Sequence, residues 1–230
     1  MRKIIEIHAA EGGADSQLLV NDLAAIYFKL STRCGWTCRW ATVRPSTQGQ
    51  GNFAVSLEIS GDDLERLTNE SGGHRWQRVP PTENRGRVHT STVTVSVTDP
   101  DNTTEFVLAE QDLSVSWFSG TGKGGQNRNK VQACCRLTHL PSGITVTAQT
   151  RSRETSYKQA KTELESRLHQ QHSAHHHAQV AADKRTQVGS GQRGDKIRTY
   201  RLQHDDIADH RTGKTINCRQ LNKGMLDLLW

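Results

Sequence analysis

The chain has 230 residues, of which 33% are hydrophobic and 5% aromatic, with a mean hydropathy of −0.72. That supply of apolar residues suits two or three small units better than one thick globule, and no run nears the roughly 18 apolar residues a membrane helix needs, so a helical membrane-spanning protein is excluded. The net charge of +6 is uneven: residues 1–118 carry 11 Lys/Arg against 15 Asp/Glu, residues 119–170 carry 9 against 3, and residues 171–230 carry 10 against 6. An acidic-leaning first half joined to a basic second half points to a polyanionic partner such as nucleic acid.

Residues 3–9 read as a short strand, with Ile5 and Ile7 apolar at period two. Glu11-Gly12-Gly13-Ala14-Asp15-Ser16 reads as a turn into a helix over about 16–33, on which Leu18, Leu19, Leu23, Ile26, Tyr27 and Leu30 repeat at helical spacing. Residues 40–43 and 52–59 alternate as strands, and 61–68 are predicted as a short helix. Residues 75–79 and 87–98 are β-rich, with Pro80 and Pro81 between them. The region to about residue 100 is therefore an α+β unit. After a turn at 99–102, residues 106–117 are predicted as a strand region, and 127–135 as a short helix. Residues 135–140 and 144–149 form a hairpin about Pro141-Ser142-Gly143. A long polar helix runs over about 155–184, and Val188-Gly189-Ser190-Gly191 breaks it. The tail is extended from residue 196, with a last helical turn over 222–229.

The five cysteines, Cys34, Cys38, Cys134, Cys135 and Cys218, are odd in number and irregular in spacing. They read as reduced thiols, with no second Cys/His pair to complete a zinc site. His169, His172, His175, His176 and His177 cluster on the long helix, but no nearby carboxylate completes a metal site, so a solvated or RNA-facing helix is expected and no metal or other cofactor. The start of the chain has too short an apolar stretch for a secretory signal and meets an acid early, so a cytoplasmic location without membrane attachment is expected. The five tryptophans read as packing residues, with Trp76, beside Gln77, the one placed to do more.

Ser119-Gly120-Thr121-Gly122-Lys123-Gly124-Gly125-Gln126 holds four glycines in eight residues. No Gly-Lys-Ser/Thr step exists for a nucleotide P-loop, and no βαβ pattern follows for a dinucleotide site. Adjacent glycines let a backbone approach a bulky substrate with no Cβ in the way. A following Gln offers one backbone N–H and a neutral side chain that both donates and accepts. It cannot act as a general base, but it can orient a water or hydrogen-bond a developing oxyanion, which is typically worth about 10²–10³ in rate. A plain flexible loop is the alternative on composition alone.

Gly124-Gly125-Gln126 with Asn129-Lys130 resembles the GGQxxNK signature of the class I bacterial-type peptide chain release factors. The resemblance runs from about residue 4 to 217. It includes Glu70-Ser71-Gly72-Gly73-His74-Arg75, Gln77-Arg78-Val79-Pro80, Leu137-Thr138-His139-Leu140-Pro141-Ser142-Gly143-Ile144, Gly189-Ser190-Gly191-Gln192-Arg193, Lys196-Ile197-Arg198-Thr199-Tyr200 and Asp209-His210-Arg211. It implies an α+β fold: a release-factor-like decoding superdomain, plus a small α/β GGQ domain with a β-sheet and a long C-terminal helix. The implied boundaries are 1–103 for codon recognition, completed by 185–230, with 104–184 as the GGQ domain. Residues 188–193 would act as a switch linker.

The resemblance implies that the loop enters the ribosomal peptidyl transferase centre. There Gly124, Gly125 and Gln126 would promote hydrolysis of the peptidyl-tRNA ester, within the ribosome and not as a free-standing enzyme. The backbone N–H of Gln126 would stabilise the transition state and its side chain would select water. Gln126 is also the position a glutamine methyltransferase modifies. Lys123, Arg128, Asn129 and Lys130 would contact rRNA or tRNA. Pro80-Pro81-Thr82 resembles the Pro-x-Thr tripeptide that reads UAA and UAG, and not the Ser-Pro-Phe type that reads UAA and UGA. Gly12 and Asp15 at the helix N-terminus would face the first base, and Gln77 and Thr82 would lie near the second and third. His89 would stack between bases, and Thr90 and Thr94 would bond to the codon. The implied partners are the rRNA of both subunits, the mRNA stop codon and the P-site peptidyl-tRNA, with the factor acting as a monomer. Without the resemblance, Thr90 and Thr94 read as ordinary strand residues.

The chain departs from the family pattern at several points. An N-terminal helical domain of about a hundred residues is expected to be missing, Asp15 stands where Glu is usual, Lys123 where Pro is usual and Ser119 where Arg is usual. Arg151-Ser152-Arg153 only partly matches Arg-Ser-Gln. These departures keep open a codon-independent rescue factor for stalled ribosomes, and a competitor that binds the A site without hydrolysis.

Overall fold

Ile5 and Ile7 set the register of the larger sheet. In β1 (Arg2–Ala9) they lie on one buried face, opposite Leu57 and Val55 of β3 (Asn52–Ser60) and opposite Val97 and Val95 of β5 (His89–Thr98). A one-residue slip of β1 would turn Ile5 and Ile7 away from the core, so the pairing is strongly specified. Helix α1 (Ala14–Cys34) covers this face with Leu19, Val20, Leu23, Ile26, Tyr27 and Leu30. It stops at Gly35, whose left-handed backbone (φ +74) lets its N–H reach the Ser31 and Thr32 carbonyls.

The computed structural model describes all residues except 48–50, 101–107, 122–124, 126–129, 190 and 193, and describes His176 and His177 by their backbone alone. Beside β1, β3 and β5 the larger sheet contains β2 (Thr37–Pro45), β4 (Gly72–Arg78), β9 (Arg198–Arg201), β10 (Asp206–Asp209) and β11 (Thr215–Ile216), in the order β11-β10-β9-β4-β5-β1-β3-β2. β9 joins β4 in parallel, so the C-terminal segment completes a sheet begun by the N-terminal one. A second, three-stranded antiparallel sheet consists of β6 (Leu113–Phe118), β7 (Cys134–His139) and β8 (Thr145–Ala148). Helix α2 (Arg153–Val188) packs on it through Ala160, Leu164 and Leu168, against Cys135, Leu137, Val146 and Ala148. The architecture is α+β, in two units: residues 1–102 with 180–230, and residues 103–179.

Three local expectations need correction. Cys134 and Cys135 begin β7 rather than end a helix, because Cys135 and Leu137 bury a period-two face on α2; residues 127–129 of that expected helix lie outside the described ones. The expected strand over 106–117 is a 3-10 turn at Glu110–Asp112 followed by β6, with residues 106–107 outside the described ones. The last helical turn splits into α3 (Cys218–Asn222) and a 3-10 turn at Leu226–Leu229. Gly224 (φ +74) lies between them, where a Cβ would come within 2.4 Å of the Leu30 backbone nitrogen.

Candidate functional site

Of the residues proposed to read a codon, Pro80, Pro81, Thr82 and His89 lie where β4 passes into β5. The Glu83 N–H donates to the Pro80 carbonyl at 3.0 Å, which closes a β-turn with Pro81 and Thr82 at its corners. Proline at the first corner pre-sets the φ such a turn needs. Pro80 is buried, while Pro81 and Thr82 are exposed, so the turn carries the Thr82 hydroxyl into solvent. The Glu83 side chain folds back beneath it and is only 5% exposed. Its Oε1 accepts the Arg85 N–H at 2.7 Å, and its Oε2 accepts from Arg87 Nε and Nη2 at 3.1 and 2.9 Å and from His89 Nε2 at 2.9 Å. The Arg85 N–H and the Arg87 guanidinium hold the carboxyl below its ordinary range.

The α1 N-terminus adjoins this loop through Arg78. Asp15 in the first helical turn is 3% exposed, and its Oδ1 accepts from Arg78 Nε and Nη2 at 3.0 and 2.8 Å. Arg78 Nη1 donates to Asp22 at 2.7 Å. One guanidinium therefore ties the end of β4, two residues before Pro80, to the start of α1. Gly12 (φ +130) packs on Ser91. Asp15 Oδ2 and Ser91 Oγ are buried with no hydrogen-bond partner among the described residues.

Strand register divides the remaining residues. Arg78 pairs with His89 and Gln77 with Thr90, and successive strand residues point to opposite faces. His89 thus shares the α1 side with Arg78, while Gln77 and Thr90 share the other face, both partly buried. Thr94 lies on that same face, is only 4% exposed, and has Gly191 against it, where an added Cβ would lie 3.7 Å from its Cγ2. The structure ties Asp15 to the end of β4 through Arg78, packs Gly12 on Ser91, sets Thr82 and His89 about Glu83, keeps Gln77 and Thr90 on the opposite face, and buries Thr94. Sequence reasoning missed Arg78, Glu83 and Arg87 as organisers. Their signal was available: charged residues flank the tripeptide on both sides.

In the second unit, Gly125 and Lys130 are exposed. The proposed positions Lys123, Gly124, Gln126, Arg128 and Asn129 lie outside the described residues. The stem of their loop is a strand pair. Phe118, at the end of β6, pairs with Cys134 at the start of β7. Arg153 opens α2 with its guanidinium 5.1 Å from the Trp117 ring centroid and its Nε donating to the Gln132 carbonyl at 2.7 Å. One side chain thereby touches both the strand entering the loop and the chain leaving it.

Trp76 is a core residue, stacked on Tyr200 with ring centroids 4.1 Å apart. Among the described residues no three His, Cys, Asp or Glu side chains gather so as to hold a metal ion. No helix among the described residues is long and apolar enough to cross a membrane.

Comparison with known proteins gives consistent matches. Residues 1–95 match the PCRF domain family and residues 101–211 the RF-1 domain family. The chain is 38% identical over 216 residues to peptide chain release factor 1 of Lactiplantibacillus plantarum, covering 93% of this chain and 60% of the relative. It is 38% identical over 228 residues to peptide chain release factor 1 of Enterococcus faecalis, covering 97% and 63%. Among solved structures, RF2 of Thermus thermophilus matches with a TM-score of 0.58 and 30% identity, over 100% of this chain and 66% of that one. The chain thus spans about 60% of the length of the curated relatives it matches.

Proposed function

The chain belongs to the class I peptide chain release factors, and from that premise we propose that it reads a stop codon in the ribosomal A site and triggers hydrolysis of the peptidyl-tRNA ester through Gly124, Gly125 and Gln126. The observation that carries the reading is the turn at residues 80–83, which exposes Thr82 and holds His89 through Glu83 beside the α1 N-terminus. A hydroxyl donates or accepts and so suits either purine, and an imidazole face stacks on an unpaired base. The Pro-x-Thr type of the tripeptide favours UAA and UAG. Decoding belongs to residues 1–103 with 185–230, and chemistry to 104–184.

In the catalytic loop the paired glycines let the backbone approach the ester. The Gln126 N–H donates to the developing oxyanion, and its side chain orients water. Lys123, Arg128, Asn129 and Lys130 contact the phosphates of rRNA or tRNA. The partners are the ribosome, the stop codon, the P-site peptidyl-tRNA and a methyltransferase acting on Gln126.

The test is release of formyl-methionine from programmed ribosomes at UAA, UAG, UGA, a sense codon and an empty A site. The expected result is release at UAA and UAG alone, falling at least a hundredfold in Gln126→Pro, which removes the backbone N–H that Gln126→Ala would keep. Equal release with a sense codon or an empty site would overturn codon reading and make the chain a rescue factor. Binding without release would make it an A-site competitor.

A further inference from the structure

We propose that Glu83 is a positioning residue that joins Thr82 and His89 into one rigid reading unit, by setting which nitrogen of the His89 ring carries the proton. This rests on the codon-reading function above. The two readers are seven positions apart, yet both are held by this one residue. The Glu83 N–H closes the turn that lifts Thr82 into solvent, and the Glu83 carboxylate meets the His89 ring at 2.9 Å. An ionised carboxylate only accepts hydrogen bonds, so His89 Nε2 must be the nitrogen that carries hydrogen. In the neutral ring Nδ1 is then an acceptor. The ring is anchored along one edge, while its side chain remains 43% exposed.

The Arg85 N–H on Oε1 and the two Arg87 N–H bonds on Oε2 share the carboxylate with His89. All four of these bonds stay inside the loop, so the role of Glu83 is to hold its neighbours. An anchored ring presents one fixed face for stacking on an unpaired base, whereas a ring free to flip or change tautomer does not.

The first experiment needs no ribosome. Long-range ¹H–¹⁵N NMR of the ¹⁵N-histidine chain at pH 8 reports the tautomer of each ring, with His89 assigned by its loss in His89→Gln. The expected result is a His89 ring protonated at Nε2 in the parent and a mixture of tautomers in Glu83→Gln. A parent ring protonated at Nδ1, or a ring unaltered by Glu83→Gln, would overturn the proposal.

The second experiment is release on programmed ribosomes. Glu83→Gln is expected to raise the half-saturating concentration at UAA and UAG roughly tenfold, the scale of one lost charge-assisted hydrogen bond, with the maximal rate unchanged. The double variant Glu83→Gln/His89→Gln should be no worse than His89→Gln alone. A fall in maximal rate with an unchanged half-saturating concentration, or additive losses in the double variant, would overturn the coupling. Codon-indifferent release by the parent would sink codon reading itself and leave the NMR result to decide the ring geometry. The parent spectrum remains decisive if Glu83→Gln does not fold.

Discussion

At Gly12 a Cβ would lie 2.5 Å from the Ser91 Cβ and Oγ, on a backbone with φ +130. At Gly13, one residue on, φ is +59 and nothing lies within 4 Å of an added Cβ. The two glycines do different work: the first admits Ser91 against the helix entry, and the second only turns the chain. Gly12→Ala should therefore lose about 2–4 kcal/mol of stability, from overpacking plus a strained φ, and Gly13→Ala about 1 kcal/mol from φ alone. Urea unfolding of the two variants checks this, and equal losses would show that Ser91 does not constrain the site. The same scale explains what the motif concealed. Asp15 looked like a residue waiting for a base, yet in the folded chain its Oδ1 is held by Arg78, and only Oδ2 lacks a partner among the described residues.

The ends of elements are fixed by side chains that act as backbone. β4 begins at Gly72, opposite Val95, so Val97 of β5 lies beyond the reach of that neighbour. Gln187, in the last turn of α2, takes over: its Oε1 accepts the Val97 N–H and its Nε2 donates to the Val97 carbonyl, both at 2.9 Å. Three residues earlier, Lys184 meets Glu6 of β1 at 2.7 Å and, after His8, holds the Glu6 carboxyl at about 2. Gln187→Ala leaves both Val97 groups without these bonds, at about 1–3 kcal/mol. The Val97 amide should then exchange with solvent at least tenfold faster, measured by native-state hydrogen exchange. An unchanged rate would show that Val97 is protected by something other than Gln187. Arg153 plays a comparable part at the other end of α2, where it grips Trp117 and Gln132.

Across the larger sheet, a buried ionic network joins segments far apart in sequence. Arg198 of β9 is fully buried, and donates to Glu70 at 2.8 Å and to Asp209 of β10 at 3.1 Å. Glu70 also accepts from Tyr27 of α1 at 3.0 Å and from Trp230 at 2.5 Å. His74 of β4 lies within it, its Nε2 donating to the Glu70 carbonyl and its Nδ1 accepting from Tyr200, both at 2.9 Å. Burial, with Arg198 close by, pushes the His74 pKa down from 6.5 to about 4. As pH falls the unfolded chain takes up this proton first, so stability present above pH 6.5 is lost on the way to pH 4. The loss amounts to about 3 kcal/mol from His74. Asp209, desolvated but held by Arg211 and Arg198, sits at about 2 instead of 3.8, and its share is lost only between those values. Urea midpoints at pH 7.5 and 4.5 check the first step. A midpoint that does not move would show that His74 is not held neutral in the folded chain.

Much of this architecture was legible in the linear sequence, because it rests on local periodicity. Ile5 and Ile7 at period two, the apolar repeat of α1, the hairpin about Pro141-Ser142-Gly143 and the Pro-Pro step all form what their own neighbours dictate. The motif residues likewise pointed to the site proposed above. Only the tertiary structure decided that Arg198 enters the core beside Glu70, that β9 pairs with β4, that Thr94 lies beneath Gly191, and that Glu83 rather than any residue of the tripeptide holds His89. The physical reason is the range of the interactions. A buried charge is tolerated only when its partners are in place, and those of Arg198 stand 128 and 11 positions away, where no local pattern records them.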